Sequence, residues 1–540
     1  MSLAEAAAGK SRLVGCGTDE LWYEDLDVAN GTMTKLVASD DDIDTSDNLT
    51  LIPAFGKVIV LNGTNKKVYD PINSKIVTAA VGTHPPDPGT ELTGGTSGAK
   101  MTVDYITSLA DACTIYGFRT TTATFTTGET VTGTDDDGNA ISFAMTAAAE
   151  VAPPHWYDLT PFGNSATFGT LPSKLYLGAV FLGRLYVGGD PNAPLNWQAS
   201  RQGGIYDFLN NQEDVQSACA GGDVEFGKLQ DIPRAYIPYE NDYIIFGCYS
   251  SMYALIGDPM QGGSAKRVSD KVGVFGSKSW CFDDAGNLYW WGTGGIYRMP
   301  KGLGPVEHLT EYRLPNIVYS EGVDPSTHRI ILEWDVRRHG LQVSIVNLST
   351  SVNSCYWYEK RTDGFYPELY PEQCSAYSML YYDSPTTAQR DLLWGCADGY
   401  IRQPLEAAED DDIGGSDEAI DSYVTFGPFI MGERLGDEGI IGGVSGILGG
   451  GATGGTQTDS SSVTYYVYVG DSPEQVIERV DAGTYVITGT VHGPGYQRGK
   501  KQLRNARGKF AAIRLRNNTA AQTWAFEEIE VEVMPVGRLA

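Results

Sequence analysis

A pair of short strands joined by a Gly- or Asp-marked turn recurs along this chain, and it constrains the fold more than any other feature. Each copy is a run of β-branched and aromatic residues bounded by turn formers. Copies begin at Lys57, Gly183, Asp242, Gly286, His328 and Asp391. The steps from Ile244 to Leu288, to Ile330 and to Leu392 are 44, 42 and 62 residues. They are close to the ~40 to 50 residues of one four-stranded propeller blade.

These copies predict an all-β protein built on a β-propeller of about six blades. One small sheet cannot cover both of its faces, so consecutive sheets stack radially around an axis. We assign residues 1–84 to the first propeller strands and 155–405 to the remaining blades, with an inserted small β module at 85–154. A C-terminal β-sandwich domain is predicted at 422–540, where apolar and polar residues alternate. The alternative is another all-β fold in which such strand pairs arise by chance.

The Thr-rich segment 85–154 interrupts the regular spacing of the strand pairs. It separates the strand at Val58 from the strand at Leu185 by 127 residues. We expect its removal to leave the other blades folded, because an insertion between blades contributes few contacts to the stacked sheets. Within it, Asp135-Asp136-Asp137-Gly138-Asn139 resembles part of a calcium loop but lacks the remaining ligands, so it predicts a hairpin turn.

Residues 406–421 predict an acidic, flexible linker, because Glu409-Asp410-Asp411-Asp412 is followed closely by Gly-Gly-Ser. A Gly-rich loop is predicted further on, at 439–455. Its bulky members are Ile440, Ile441, Val444, Ile447 and Leu448. A loop so rich in glycine is too flexible to pack as core by itself. We interpret it as a hairpin tip that is ordered by a partner, or alternatively as a segment that touches a membrane.

The charge of the chain excludes one class of function. Lys and Arg number 39 against 68 Asp and Glu, which gives a formal net charge of −29. Such a surface repels phosphates, which argues against a protein that grips the outside of nucleic acid. No run approaches the ~18 to 20 apolar residues of a membrane span, and we expect no signal peptide at the N-terminus.

Residues that could carry chemistry form no recognisable site. The eight cysteines lack a CxxC pair and the six histidines are dispersed, which predicts buried free thiols in a reducing compartment and no metal site. No nucleophile elbow, phosphate-binding loop or HExxH motif occurs. The nearest candidate for paired carboxylates, Asp283-Asp284-Ala285-Gly286-Asn287, has the composition of a hairpin turn. We therefore expect no catalytic residues, no cofactor and no enzymatic activity.

Residues 498–516 invert the charge of the chain, because they include eight basic residues and no acidic one. The candidate subunit-docking residues in this basic segment are Arg498, Lys500, Lys501, Arg504, Arg507 and Lys509, followed by Arg514 and Arg516. A basic strip on an acidic protein docks well against an acidic surface, including that of a neighbouring identical subunit. The alternatives are a solvated hairpin and, against the repulsive background, a nucleic-acid contact.

Several strand and turn motifs form one series that extends over roughly two thirds of the chain. They include Gly183-Arg184-Leu185-Tyr186 running to Asn196-Trp197-Gln198-Ala199-Ser200, Tyr243-Ile244-Ile245-Phe246 running to Gly257-Asp258-Pro259, Gly294-Gly295-Ile296-Tyr297, and Gly508-Lys509-Phe510 running to Trp524. This series resembles the tail nozzle proteins of short-tailed bacteriophages, also called DNA-stabilisation or tail-accessory proteins. The Thr-rich segment resembles modules that are found in many phage structural proteins.

The resemblance implies a structural virion protein in the phage tail, assembled in the host cytoplasm. Its partners would be further copies in a ring, most simply a hexamer, together with portal-proximal adaptor proteins and tail fibre or tip proteins. Double-stranded DNA would pass through the ring without specific binding, because carboxylates offer phosphates no attachment. The candidate channel-lining residues are Asp40, Asp41, Asp42, Asp44, Glu409, Asp410, Asp411 and Asp412. Solvated outer loops are the alternative interpretation of these stretches.

Two other functions are compatible with the same motifs. One is a carbohydrate-binding or carbohydrate-cleaving propeller similar to a tail spike. In that protein Trp290, Trp291, Tyr356 and Trp357 would stack on sugars, although most such aromatics pack between blades. The other is a head-completion or tail-tube protein of a longer-tailed phage, which would differ only in its neighbours.

Overall fold

The computed structural model describes residues 2–6, 10–24, 32–45, 47–221, 229–384, 387–405, 408, 410–414, 416–432, 434, 436–448, 462–492, 495–498, 506–522 and 524–536. Strands dominate this part of the chain, which confirms the all-β prediction. Its α-helices are α1 (Ile317–Glu321) and α2 (Pro473–Asp481). Short 3-10 helices lie at Val37–Ser39, Phe162–Asn164, Ala166–Phe168, Pro259–Gln261, Glu372–Cys374 and Thr387–Gln389.

The chain divides into two compact units. The propeller unit comprises Met1–Pro367 and Ser375–Gln403, and the C-terminal unit comprises Glu368–Cys374 and Pro404–Ala540. The main division at 403/404 falls close to the boundary that the acidic stretch suggested at 405/406.

Seven antiparallel sheets, the blades, form the propeller in the described part of the first unit. Blade one contains β1 (Ser2–Ala6), β2 (Lys10–Gly17), β3 (Glu20–Glu24) and β4 (Met33–Lys35). Blade two begins with β5 (Thr50–Ala54), β6 (Lys57–Asn62) and β7 (Asn65–Asp70). The inserted module follows as β8 (Ser74–Ala80), β9 (Glu91–Gly94), β10 (Lys100–Ile106), β11 (Asp111–Arg119), β12 (Thr130–Thr134) and β13 (Ala140–Ala144). Strand β14 (His155–Asp158) then pairs with β7 and completes blade two.

The remaining blades follow one another along the chain. Blade three contains β15 (Leu177–Phe181), β16 (Arg184–Gly188), β17 (Trp197–Ala199) and β18 (Cys219–Gly221). Blade four contains β19 (Pro233–Tyr239), β20 (Tyr243–Cys248), β21 (Met252–Ile256) and β22 (Ser264–Ser269). Blade five contains β23 (Trp280–Phe282), β24 (Leu288–Gly292), β25 (Gly295–Met299) and β26 (Glu307–His308). Blade six contains β27 (His328–Asp335), β28 (Gly340–Asn347), β29 (Asn353–Glu359) and β30 (Gly364–Glu368). Blade seven contains β31 (Ala376–Tyr382), β32 (Asp391–Cys396) and β33 (Ile401–Arg402).

The first strand of each blade lies nearest the propeller axis. Strand β5 contacts β1 and β15, β15 contacts β19, and β27 contacts both β23 and β31, so first strands meet first strands around the ring. Large aromatic side chains fill the wedges between blades. Trp197 stacks on Phe246 of the next blade at 5.5 Å between ring centroids, and Tyr289 stacks on Trp334 at 5.6 Å. This radial stacking buries the sheet faces that no single blade can cover.

The ring closes between blade seven and blade one. Leu13 packs against Tyr382 and Leu393, and the Tyr382 hydroxyl donates to the buried carboxylate of Glu24. The propeller prediction is confirmed, with seven blades in the described residues where the sequence suggested about six. The additional blade is the first, whose strands lie before Lys57, the first clear copy of the repeat.

The inserted module forms one sheet with the strand order β13-β12-β9-β10-β11-β8. It begins at Ser74 and not at Pro85, because β8 pairs with β11 over the length of the strand. The chain leaves blade two after its third strand and returns as its fourth, so the ends of the insertion are adjacent. Residues 155–158 belong to blade two.

The module shares its core with the propeller, contrary to the expectation of few contacts. Apolar residues of the module form one buried cluster with residues of blades two and three. Tyr105 of the module stacks on Tyr157 of blade two at 5.2 Å and on Tyr206 at 4.4 Å, and Tyr116 stacks on Tyr157 at 4.2 Å. The ammonium group of Lys57 lies within salt-bridge distance of Asp104 in the module.

The C-terminal unit contains the predicted β-sandwich. Its strands are β34 (Asp410–Ile413), β35 (Ser416–Ala419), β36 (Ser422–Ile430), β37 (Gly439–Leu448), β38 (Ser462–Gly470), β39 (Ile487–His492), β40 (Gly495–Arg498), β41 (Arg507–Gly508), β42 (Phe510–Asn517) and β43 (Phe526–Pro535). One sheet has the order β36-β42-β38-β39, and in the other β37 pairs with β40, β41 and β43. Apolar residues of both sheets form one core.

Two predictions for this unit were wrong. Residues 406–421 are not a flexible linker throughout, because β34 and β35 form a hairpin within them. The described part of the Gly-rich segment, 439–448, is the central strand β37 and not a loop. The buried residues Ile441, Val444 and Leu448 belong to the sandwich core and Ile440 and Ile447 are half-buried, so a partner is not needed to order them.

Candidate functional site

The basic segment is partly neutralised within the C-terminal unit. Arg507 donates to the Glu438 carboxylate at 2.5 Å, and Arg516 binds Asp421 through two nitrogens at 2.5 and 2.8 Å. Lys509 is half-buried. Outside the described residues lie Lys500, Lys501 and Arg504, together with the side chain of Arg498. The docking role of this segment stays a prediction.

The first acidic stretch lies beside the outer strands of blade two. The Asp42 carboxylate accepts from the Trp156 indole at 2.8 Å and pairs with Lys67 at 2.6 Å, and Lys67 also binds Asp158 at 2.8 Å. Lys67 and Trp156 belong to the third and fourth strands of the blade. Asp42 is therefore far from the innermost strands of its own propeller.

The other carboxylates of that stretch are more exposed than Asp42. Asp40 is exposed and lies 3.4 Å from the ammonium group of Lys35. Asp41 and Asp44 are exposed as well. These positions remain candidates for a channel that lies between copies of the chain.

The second acidic stretch belongs to the hairpin of the C-terminal unit. Asp410 accepts from the backbone N–H of Ala521 at 2.6 Å, which connects β34 to the turn before β43. Asp411 and Asp412 follow in the same strand. Glu409 and the side chain of Asp412 lie outside the described residues. Asp410 thus has a structural role, and the predicted channel role is untested.

Both acidic turn motifs are hairpin turns, as predicted. The Asp283 carboxylate accepts from the backbone and side-chain amides of Asn287 at 2.8 Å each and from Lys360 at 2.9 Å. Asp135 accepts from the backbone and side-chain amides of Asn139 at 2.6 and 3.0 Å in the same pattern. The carboxylates stabilise their own turns.

The aromatic residues considered for sugar stacking offer little accessible surface. Trp290, Trp291 and Trp357 are 0%, 1% and 6% exposed. Tyr356 is half-buried and donates its hydroxyl to Glu321. These rings pack in the core. They are therefore not available to stack on a sugar, which was the basis of the carbohydrate hypothesis.

A cavity of about 530 Å³ opens where the innermost strands of several blades begin, and we call it the axial cavity. Its lining comes from five consecutive blades, two to six. The lining residues used below are Asp47, Tyr176, Leu177, Asp190, Arg234, Phe275, Lys278, His328, Arg329 and Ile330. A concave site of this volume is in the range that binds small molecules.

Three cations line the axial cavity. Arg234 is the second residue of β19 and Arg329 the second residue of β27, while Lys278 lies just before β23. Loss of bulk water, together with the charge of Arg329, lowers the pKa of Lys278 to about 7, and the Cys16 thiol acts weakly in the opposite direction. Burial also lowers the pKa values of Arg329 and Arg234.

The acidic groups of the cavity have partners of their own. Asp47 accepts from the Tyr176 hydroxyl at 3.1 Å. Asp190 is buried and accepts from the backbone N–H of Asn192 at 2.9 Å. Among the described residues, neither carboxylate forms an ion pair with Lys278 or Arg329.

A half-buried glutamate follows further along the innermost strand of blade six. Glu333 lies four residues after Arg329 in β27, about 13 Å along an extended strand. Burial raises its pKa to about 8. Near neutral pH, this position along β27 is mostly uncharged, and the positive charge of the cavity is concentrated at the start of the strands.

The axial cavity was not predicted from the sequence, although the sequence contains a signal for it. The three cations are separated by 44 and 51 residues, which is close to the blade period, and each occurs at the start of an innermost strand. Aligning the blades with one another would have placed these side chains around one axis. Considered one at a time, they are ordinary basic residues.

Among the described residues, no group of three or more His, Cys, Asp or Glu side chains is arranged to hold a metal ion. No helix in the same residues is long and apolar enough to span a membrane. All eight cysteines are free thiols, and all except the half-buried Cys16 are buried, as predicted.

No protein-family model matches the sequence, and no curated protein matches it. Among solved structures, the chain is similar to the extracellular domain of a putative one-component system from B. thetaiotaomicron, with 12% identity, a TM-score of 0.29, and coverage of 62% of this chain and 39% of that chain. It is also similar to a quinonprotein alcohol dehydrogenase-like protein from Bacteroides thetaiotaomicron, with 11% identity, a TM-score of 0.27, and coverage of 66% and 74%. The chain spans less than half the length of the first protein. Likeness at this level says nothing about activity or ligands, and the propeller assignment rests on the sheets described above.

Proposed function

We propose that this chain is a tail nozzle subunit of a short-tailed bacteriophage. It is a structural virion protein that forms a ring below the portal and adaptor, and the ring provides the exit channel for the genome and helps to retain it. The proposal starts from the resemblance of the strand and turn motifs, and one feature of the C-terminal sandwich carries it further.

That feature is the outer edge of β43. Strand β43 pairs with β37 along one edge, and no described strand pairs with its other edge. Ile529, Val531 and Val533 pack on the core, whereas Glu528 and Glu530 are exposed. The backbone groups along this ten-residue open edge can pair with a strand of another chain. The exposed carboxylates favour a basic partner and repel an acidic one.

A neighbouring copy offers a partner of the right charge. The basic segment 498–516 is complementary to the glutamates of β43, and long-range attraction between them would orient the two copies. The contact joins two different surfaces, so it is heterologous, and such contacts close into a ring when the rotation permits. This supports a ring subunit over a monomeric binding protein.

The axial cavity supports the same arrangement. A volume of about 530 Å³ suits a small molecule, and its basic lining would hold phosphates instead of letting them slide. A DNA channel is therefore expected between the copies in the ring and not along the axis of one propeller.

Assembly tests the proposal. We expect light scattering and negative-stain images of the purified chain, alone or with its adaptor ring, to show closed rings. Glu528→Lys with Glu530→Lys should weaken assembly by removing the attraction, and so should Arg504→Glu with Arg507→Glu. The two pairs of changes combined should restore part of it, because the charges are again complementary.

The control is Glu213→Lys, which reverses the charge of one glutamate at an exposed position in blade three. It should leave the rings unchanged. A chain that stays monomeric with the adaptor present contradicts the nozzle proposal. Rings that form equally well in all variants would retain the nozzle proposal and reject the contact with β43.

A further inference from the structure

Lys278 and Arg329 form a pair of like charges without a counter-ion at the start of the innermost strands. The groups that act on Lys278 are Arg329 and the Cys16 thiol, and the group that acts on Arg329 is Tyr377, whose ring lies 5.3 Å from the guanidinium carbon. In the described part of the chain, no carboxylate pairs with either cation. Two neighbouring cations without a carboxylate partner are unusual on a protein with a net charge of −29.

The pair is costly to the folded protein. Both side chains are partly withdrawn from solvent, and a cation that loses water without gaining a partner destabilises the fold. Blades one and seven also contribute groups near the pair, because Cys16 belongs to blade one and Tyr377 to blade seven. The fold thus places unpaired positive charge near its axis.

We propose that the axial cavity binds a small organic anion whose phosphate or carboxylate group lies between Lys278 and Arg329. Arg329 supplies the planar donors that match such oxyanions, and Lys278 supplies a compact charge. Arg234 extends the basic wall; its guanidinium donates to the Phe275 carbonyl at 3.3 Å and lies 4.4 Å from the Tyr249 ring centroid.

The rest of the lining fits the body of an organic ligand. Leu177, Phe275 and Ile330 provide apolar surface on three sides. The volume exceeds that of an inorganic oxyanion alone, which favours a charged group attached to a carbon skeleton. The acidic groups Asp47 and Asp190 line the same cavity, so the charged group of the ligand is expected beside Lys278 and Arg329 and not beside these carboxylates.

Binding measurements with defined probes test this inference, which does not depend on ring assembly. The probes are glucose 6-phosphate, citrate and glucose, titrated calorimetrically into the full chain at pH 6.5 in a buffer without other polyanions. We expect the phosphate ester or citrate to bind and glucose not to bind. Lys278→Gln and Arg329→Gln should each weaken binding about tenfold or more, because each removes a charge-assisted contact.

The matched control is Lys266→Gln, which removes the same charge at an exposed position in blade four. It should bind like the unchanged protein. Melting curves without anions check the fold: Lys278→Gln should melt at the same or a higher temperature, because it relieves repulsion. Added anion should raise the melting temperature of the unchanged protein and the control only.

Three results would overturn the inference. They are failure of both charged probes to bind, equal binding of glucose, and binding that survives both cavity substitutions. Preference between the phosphate ester and citrate assigns the oxyanion class. Weaker binding at pH 8.5 than at pH 6.5 is expected as well, because Lys278, whose pKa is about 7, loses its proton in this interval.

Discussion

Arg184 is a fully buried cation at the centre of a hydrogen-bond network in blade three. Its Nε donates to the Asp258 carboxylate at 3.0 Å, and its other nitrogens donate to the carbonyls of Ser200 at 3.1 Å, Val215 at 3.0 Å and Ser217 at 2.5 Å. One guanidinium therefore fixes the long connection after β17. A charge of this kind tolerates burial because each guanidinium nitrogen has an acceptor.

Replacing Arg184 with Met should destabilise the propeller by about 3–5 kcal/mol, because Asp258 would remain buried without its partner. Denaturant unfolding measures the loss. The double variant Arg184→Met with Asp258→Asn should lose less than the single one, since no unpaired charge is left. A single variant that loses less than about 1 kcal/mol would show that solvent reaches this network.

Lys278 gives the free protein a distinct pH dependence. Its pKa in the folded chain is about 7, against about 10.4 when unfolded. Between these values the unfolded chain binds more protons, so stability should rise with pH, by at most about 1.4 kcal/mol per pH unit. The groups that face Lys278 are Arg329 and Cys16, which oppose each other. Below pH 7 the full cost of the charge is present.

The measurement is the free energy of unfolding from pH 7 to 10 without anions. Lys278→Met should remove this component of the rise, and Lys266→Met should retain it. Identical profiles for the unchanged protein and Lys278→Met would show that Lys278 titrates normally in the folded chain.

At the scale of single residues, the sequence predicts side chains that serve their own neighbourhood. Asp283 and Asn287 form a turn because the five consecutive residues from 283 to 287 suffice to define it. The meeting of Lys278 with Arg329 is not predictable in this way, because it depends on how blades five and six are placed around the axis. Local chemistry can be read from the sequence, whereas charges brought together by tertiary structure cannot.

At the scale of elements, β37 shows why a glycine-rich segment was wrongly predicted to be a loop. Gly439 lies so close to a neighbouring strand that a Cβ atom would be 2.4 Å from the Met431 carbonyl, and at Gly446 it would be 2.8 Å from the Ile529 side chain. Both glycines permit close packing inside the sandwich. The same residue type favours flexible loops in isolation, and only the partner strands decide between the two.

The inserted module is the second case, and its removal is now expected to be harmful. Deleting 85–154 leaves β8 without its sheet, exposes Tyr157 and Tyr206, and removes Asp104 from Lys57. The lost core should cost at least about 3–5 kcal/mol, as for a large buried side chain replaced by Ala. Calorimetry should show a lower or less cooperative melting transition for the propeller unit.

Tyr105→Ala is the matched test without a change in chain length, and it should produce a loss of similar direction. If the deletion variant melts like the unchanged protein, the module is an independent unit, as the sequence had suggested. A stable deletion variant together with a destabilised Tyr105→Ala would indicate that the core rearranges when the module is absent.

At the scale of the whole molecule, a repeat of about 44 residues was sufficient to predict a propeller. Each blade is local in sequence, so its strands and turns are encoded within one copy. The closure of the ring is not local, because Glu24 and Tyr382 are 358 residues apart. The number of blades was therefore less certain than their presence, and blade one has no clear copy of the repeat.

The last prediction concerns the passage of DNA through the proposed ring. Asp40→Lys with Asp44→Lys changes two exposed carboxylates and leaves Asp42 with its partners Lys67 and Trp156. If these loops face the channel, the new lysines will bind phosphates and slow genome ejection from assembled particles. The delay should shrink as salt rises, because each phosphate contact releases counter-ions.

Particles carrying Glu213→Lys provide the control for an added charge elsewhere on the propeller, and they should eject at the original rate. Equal rates for both variants at every salt concentration would place the acidic loop outside the channel. A delay that does not respond to salt would indicate altered assembly, because contacts between lysine and phosphate weaken as counter-ions accumulate. Only a delay that is specific to the loop and sensitive to salt connects the acidity of this chain to the movement of DNA.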